Sequence, residues 1–294
     1  MEIKWKKYIV GFFDIMGQSS KLNELGLLLG DLENIEVANE KKLKRIEKLT
    51  NETYEKVERF RHLFTYSFNI FKKLTINENL TSSPVELTEI KNIGDEICML
   101  RFFSDSVMFY TPFNAENELL TRFRIAAMLY ACTCVSIREL TTGDFFRGGI
   151  EIGAGLELGN GDLYGPVLND SYRLEKEVAD YPRIVVGKNL RRFIQKEQVV
   201  NSGRYLDSVL ARIDDFCKKM IYQDDDGKFT IDYLGKKIAD VSRSSYNQTS
   251  DSVKKGISKI ETEVNEYINK QPDLANRLKK LLAYCESRMK FWAN

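Results

Sequence analysis

The chain has 294 residues, of which 43% are hydrophobic and 30% charged, the balance of a folded globular protein rather than a disordered or fibrous one. Lys+Arg number 44 and Asp+Glu 43, a net charge of +1, so no basic field points to nucleic acid or to an anionic membrane. The single histidine, His62, lies in a helical pattern; a His-rich zinc site is excluded, and Ser-His-Asp or Cys-His catalysis would rest on one helix residue.

In chain order, Tyr8–Phe13 is apolar nearly throughout and reads as a central strand. Asp14 interrupts the run and no small-residue cleavage site follows, so the basic start is not read as a secretory leader. A helix is expected after Gly17, and one or two long helices from about Asn39 to Leu74, where neither Pro nor Gly intervenes. Ser82–Glu86 is loop-like. Ile97–Phe103 and Val107–Thr111 form a hairpin pattern around Ser104, Asp105 and Ser106. Glu116–Leu140 predicts a buried helix, Phe146–Ile152 a strand, Leu168–Val178 a helix and Arg183–Val186 a strand after Pro182.

Near residue 200 the composition changes. Tyr205–Tyr222 predicts a helix, DDDGKFTIDYLG a turn and a short strand near 229–234, and Ser252 onward two amphipathic helices broken at Pro272. No stretch is read as long enough for a membrane span. The five cysteines, Cys98, Cys132, Cys134, Cys217 and Cys285, are odd in number and lack a Cys-x-x-Cys pair, which predicts a reduced, cytoplasmic protein. The expected fold is α+β: a sheet domain over 1–200, with a helical insertion about 35–92, and a mostly helical extension over 201–294.

Chemistry concentrates in three segments. Asp14 closes the first strand, Asp105 sits at the hairpin tip, and a Gly-rich stretch leads into Asn169 and Arg173. Two carboxylates that converge without a basic partner repel unless a cation lies between them. Oxygen ligands suit Mg²⁺ or Mn²⁺, and two such ions about 3.5–4 Å apart suit phosphoryl chemistry. Ile15–Gly17 opens a helix, whose N–H groups suit a triphosphate. Each residue taken singly has a plainer reading. Asp105 is then a turn residue, Asp14 or Asn169 a cap, and Arg173 the partner of Glu177. Gly148, Gly149, Gly153, Gly155, Gly159, Gly161 and Gly165 are then turn glycines.

Taken together, four ordered motifs over residues 6–195 carry a resemblance. FFDIMG resembles the F-x-D-I-x-G-F start of class III nucleotidyl cyclases, and FSDSVMF their metal hairpin. RGGIEIG is similar to their R-x-G-I-x-x-G strand, and YGPVLNDSYRLE to their Asn-x-x-x-Arg helix. The FFSDS hairpin, FRGGI, YPRIVV and DDDGKFTIDYLG resemble more closely the bacterial pyrimidine cyclases of the Pycsar antiphage system.

The resemblance implies a class III cyclase-like antiparallel or mixed sheet with flanking helices and a head-to-tail homodimer with its sites at the interface. Asp14, Asp105 and the carbonyl of Ile15 would hold two Mn²⁺ or Mg²⁺ ions. From the other chain, Asn169 would orient the ribose and Arg173 would stabilise charge on the α-phosphate. Phe13, Gly17, Arg101 and Asp162 would contact substrate. Arg101 and Asp162 would read the base, and Phe102 and Phe103 adjoin Arg101 as a wall against a purine. Arg101 donates and an ionised Asp162 accepts, which matches the O4 and N3–H of uracil.

The implied activity converts UTP to 3′,5′-cyclic UMP and pyrophosphate, a second messenger read by a separate effector in antiphage defence. Neither nucleic acid nor a membrane is an expected partner. Cytidylate cyclase is the first alternative, then adenylate or guanylate cyclase, then a non-catalytic nucleotide-binding module. Ser104 stands where the family has Gly, and the longer separation of Asp14 from Asp105 implies inserted helices. The phosphate-binding lysine is left open among Lys228, Lys236 and Lys237.

Overall fold

The first strand, β1 (Lys6–Ile15), is apolar on both sides because both are covered. In the computed structural model, which describes residues 4–30, 40–75, 98–114, 117–159, 161–196, 205–245 and 248–292, β1 lies inside one mixed sheet. Helices α1 (Gln18–Gly30) and α2 (Glu40–Thr75) follow it. Then come the hairpin β2 (Met99–Phe103) and β3 (Ser106–Pro112), helix α3 (Glu118–Thr142) and the long strand β4 (Phe146–Glu157). The sheet order in this part is β2-β3-β1-β4, antiparallel throughout, the arrangement of a split βαβ unit. The predicted loop at Ser82–Glu86, and the parts of the predicted insertion at 35–39 and 76–92, lie outside the described residues.

One face of the sheet carries Ile9, Phe13 and Ile15 of β1 and is buried under α2 and α3. Phe60, Phe64, Phe68 and Phe71 recur along one side of α2 and enter this core. Phe64 packs on Phe13 at 5.1 Å, and Phe60 on Phe146 at 4.9 Å. The segment expected as an insertion is therefore a core helix within the β-α-β connection. Asn117 caps α3, accepting from Leu120 N–H at 2.9 Å, and Gly143 ends it at φ 78°. By length and apolarity α3 meets the criterion for a membrane span, against the sequence expectation; most of it is buried within this fold, which accounts for its composition.

The other face carries Tyr8 and Val10 with Met108 and Tyr110, and packs against α4 (Pro166–Arg173). A π-helical turn, Leu174–Val178, continues α4. Close approach of α4 to β4 explains glycines that read as turn residues in the sequence. A Cβ on Gly149 would overlap Leu174 Cβ and stand 2.6 Å from the Ser171 carbonyl, and Gly153 and Gly155 lie against Val167. Gly148 makes room for the Phe13 ring on the opposite face. Only Gly161 and Gly165 of the set have positive φ. The two-residue β5 (Leu163–Tyr164) pairs with the end of β4.

The sheet continues through β6 (Ile184–Val186), parallel to β4, and then through β8 (Phe229–Ile231) and β7 (Ile221–Gln223). Helix α5 (Lys188–Gln195) follows β6, α6 (Tyr205–Lys219) precedes β7, and α7 (Lys236–Ser245) follows β8. The last two helices are α8 (Gln248–Tyr267) and α9 (Pro272–Arg288). The region read as an extension thus adds two strands to the same sheet and shares its core. Trp292 Nε1 donates to the Leu234 carbonyl at 2.8 Å, and Leu234 N–H donates to Tyr284 Oη at 2.9 Å, docking the end of the chain beside β8.

Gly149→Ala is expected to destabilise the fold by ~1–3 kcal/mol through overpacking against α4. Gly159→Ala, with nothing within 4 Å of its Cβ, is expected to be close to neutral. Denaturant midpoints of the two variants check the contrast.

Candidate active site

Register brings the predicted carboxylates together. Asp14 is opposite Ser106 on β3 and opposite Arg147 on β4, so these three side chains share a face. Ser106 Oγ donates to Asp14 Oδ1 at 3.0 Å, and Ile15 N–H donates to the Asp105 carbonyl at 3.2 Å, tying the hairpin tip to the end of β1. Burial pushes the Asp14 carboxyl above the usual aspartate range and the nearby Asp105 charge adds to it, against the Ser106 hydrogen bond and the Arg147 charge. Ile15 is buried on the core face, leaving only its main chain for a ligand role, and the same holds for Phe13, whose ring is 0% exposed. Gly17 turns the chain into α1 at φ 81°, a conformation that favours glycine.

Among the described residues no group of three or more His, Cys, Asp or Glu forms a ready-made metal cage. Mg²⁺ is commonly held by only one or two carboxylates, with water and substrate phosphate completing its shell. Asp14 and Asp105 fit a hard divalent ion in that way, together with a phosphate-bearing ligand. The five cysteines are free thiols, and burial pushes Cys134 up to about 11 and Cys217 and Cys285 up to about 12, so these are not activated nucleophiles. His62 is exposed on α2.

Two residues beside Asp14 escaped the sequence reading. Arg147 lies 2.7 Å from Glu175, which is 2% exposed. Their contact is an ion pair without good hydrogen-bond geometry. Burial, with the Asp14 charge adding to it, outweighs the Arg147 charge and pushes the Glu175 carboxyl up to about 7. Arg147 is the basic neighbour that Asp14 lacks in the linear sequence. The available signal was the R-x-G strand, whose arginine falls opposite Asp14 once β1 and β4 are in register.

Arg101 and Asp162 also meet. Arg101 Nη2 donates to the Gly161 carbonyl at 2.7 Å, and its Nε stands 3.5 Å from Asp162 Oδ1. Tyr110 Oη donates to the same Gly161 carbonyl. Phe103 shares the face of Arg101, whereas Phe102 points to the other side of β2, under Arg61. Of the two expected wall residues, Phe103 alone remains near Arg101's face.

Asn169 and Arg173 lie one turn apart on α4, both exposed. Ser171, between them, is buried and donates to the Val10 carbonyl at 3.0 Å, fixing the helix on β1. Arg173 pairs with Glu177 at 3.3 Å, the plainer contact its spacing allowed; both are more than half exposed, so the pair holds Arg173 weakly. No described hydrogen bond or ion pair joins Asn169 or Arg173 to Asp14 or Asp105. Asn169 instead lines an open cavity of about 740 Å³ with Trp5, Phe12, Phe103, Tyr164 and Tyr172. Tyr164 is 63% exposed and Trp5 53%. Of the candidate lysines, Lys237 is bound to Asp215 at 3.1 Å, Lys228 sits in the turn before β8, and Lys236 starts α7.

No family model matches the chain, and no match is found among curated proteins or solved structures. The site itself therefore carries the functional argument.

The raised Glu175 pKa sets a sign for stability. The folded protein holds a proton that the unfolded chain releases between about pH 4.5 and about pH 7. The Glu175 share of stability is full below that window and is lost as pH rises through it. Glu175→Gln is expected to flatten this part of the decline, checked by unfolding midpoints from pH 4 to pH 8.

Proposed function

We propose that the protein is a metal-dependent pyrimidine nucleotide cyclase that acts as a homodimer, converting UTP to 3′,5′-cyclic UMP and pyrophosphate. The observation that carries the reading is the division of the site. Asp14 and Asp105 converge at one end of the sheet, while Asn169 and Arg173 stand exposed on α4, Asn169 beside an open aromatic surface. A second copy turned head to tail would set its Asn169 and Arg173 against the first chain's carboxylates and cover Trp5, Phe103 and Tyr164. Exposed apolar surface of this kind marks an association site. The motif resemblance supports the same assignment, as does the split βαβ order.

In this reading Asp14 and Asp105, with the Ile15 carbonyl, hold the divalent ions. Such ions, when bound, lower the pKa of the ribose 3′-hydroxyl and offset triphosphate charge. Main-chain N–H groups at Gly17 and the start of α1 face the phosphates. Asn169 holds the ribose so that O3′ faces the α-phosphorus in line with the leaving pyrophosphate. The O3′–P bond forms, the bond to the β-phosphate oxygen breaks, and the hydroxyl proton passes to solvent. Arg173 stabilises charge building on the α-phosphate, for which it must exchange Glu177 for substrate. Arg101, fixed by the Gly161 carbonyl, offers a donor to uracil O4, and Asp162 accepts from N3–H. In the cell the product would act as a second messenger in antiphage defence, read by a separate effector.

Asp14→Ala and Asp105→Ala are each expected to abolish turnover while the fold is retained. Arg173→Ala is expected to lose about 10²–10³ in rate. Mixing Asp14→Ala chains with Arg173→Ala chains is expected to restore part of the activity, since one hybrid site keeps both carboxylates and the arginine. Exchange of subunits without recovery would remove the shared-site arrangement.

Separate reactions with UTP, CTP, ATP and GTP plus Mn²⁺, resolved by chromatography against cyclic standards, test the base. Cyclic UMP is expected to dominate. Cyclic CMP as the main product would reassign the Arg101–Asp162 edge, and a purine product would overturn the pyrimidine reading.

A further inference from the structure

Arg61 reaches from α2 to the turn that carries Asp105. Its Nη2 donates to the Ser104 carbonyl at 3.2 Å, its guanidinium stands 4.9 Å over the Phe102 ring, and its Nη1 donates to Glu58 at 3.1 Å. Ser104 has φ 47°, the only positive φ outside glycine among the described residues. A side chain in this left-handed region is disfavoured by its Cβ and persists where the surroundings over-determine it. Glycine is the usual first residue of a two-residue hairpin turn with positive φ there. Here a serine holds the position, and the contact that fixes its carbonyl comes from another element.

The same helix touches the other loops around Asp14. The Thr53 carbonyl accepts from Gln18 Nε2 at 3.3 Å, one residue beyond Gly17. Lys56 and Arg59 both pair with Asp144. The adjoining Phe145 carbonyl accepts Met16 N–H at 2.8 Å. One helix thus engages the loop after β1, the β2–β3 turn and the loop before β4.

We infer that Arg61 is a positioning residue: by holding the Ser104 carbonyl it maintains the strained turn and so aims Asp105 at an ion shared with Asp14. Its last step rests on the metal-site reading above; the brace itself does not.

The test compares the full chain with Arg61→Ala, Ser104→Gly and the double variant. Mn²⁺ binding is followed by electron paramagnetic resonance with α,β-methylene-UTP present, and amide exchange is followed over residues 102–106. Arg61→Ala is expected to raise the Mn²⁺ concentration for half-saturation about tenfold and to speed exchange at least about fivefold, the scale of one lost charge-assisted hydrogen bond. Ser104→Gly is expected to resemble the parent. The double variant is expected to return to within about threefold of the parent in both readouts, because glycine adopts positive φ unaided; a merely destabilising loss of Arg61 would not be rescued at Ser104. Unchanged exchange in Arg61→Ala, or a double variant as impaired as Arg61→Ala, overturns the brace, whatever Mn²⁺ does. A parent that binds no Mn²⁺ while exchange follows the expected order supports the brace and removes the metal-site reading.

Discussion

The packing of α2 phenylalanines onto β1, β3 and β4 is the constraint on which the rest of the structure depends. Phe60 and Phe64 meet Phe13, Phe109 and Phe146 with ring centroids about 5–6 Å apart. These rings fill one face of the sheet together with residues of α3, and α8 packs in turn against α3. Interior volume is tightly filled in such a cluster, which explains why Gly11 and Gly148 carry no side chain: a Cβ on either would enter the Phe109 or Phe13 ring. Packing and backbone identity are therefore coupled across the three central strands.

The opposite face packs against α4 and its π-helical turn, which lie over β1 and β4. The alternating glycines of β4 let that helix sit close, and Ser171 fastens it to Val10. Toward β2 the same face keeps Phe103 and Met99 exposed. A sheet with one deep core and one thinly covered face can present polar groups at its surface without burying them unpaired. Asp14, Ser106, Arg147 and Arg101 all belong to this thinly covered face. The deep core fixes the strand register, and the register fixes which of these side chains meet.

This dependence on register explains what was legible in the sequence. Asp14 and Asp105 are legible because one ends an apolar strand and the other lies in the Ser104–Ser106 turn, both local signals. Arg101 and Asp162 were paired through motif spacing, and the chain brings them within 3.5 Å. Arg147 was not singled out beside Asp14, because nothing local says that it faces Asp14 until β1 and β4 are aligned residue by residue. The glycines of β4 read as turns since composition does not distinguish a turn from a strand under a closely packed helix. The strand β7, with three residues, followed a helical pattern and gains its identity only by pairing with β8. Phe102 and Phe103 looked equivalent as neighbours of Arg101, yet the two-residue period of a strand sends them to opposite faces.

Asp14 lies beside an arginine whose nearest carboxylate partner is a different residue. Arg147 is the direct cross-strand neighbour of Asp14, and in isolation it would be the natural partner. Glu175 approaches Arg147 to 2.7 Å from the turn after α4, while Asp14 takes its hydrogen bond from the neutral Ser106 hydroxyl. With Glu175 ionised, the Arg147–Glu175 pair is neutral as a unit, and the unopposed charge is that of Asp14 and Asp105. With Glu175 protonated, Arg147 offsets one of the two. With both aspartates ionised the cluster is net negative in either state, the charge that the proposed divalent ion would offset. The arginine therefore limits the repulsion between the two aspartates without neutralising them. Its geometry depends on α4 remaining seated on Gly149, so the same close packing that shapes the thin face also sets the electrostatics at its edge.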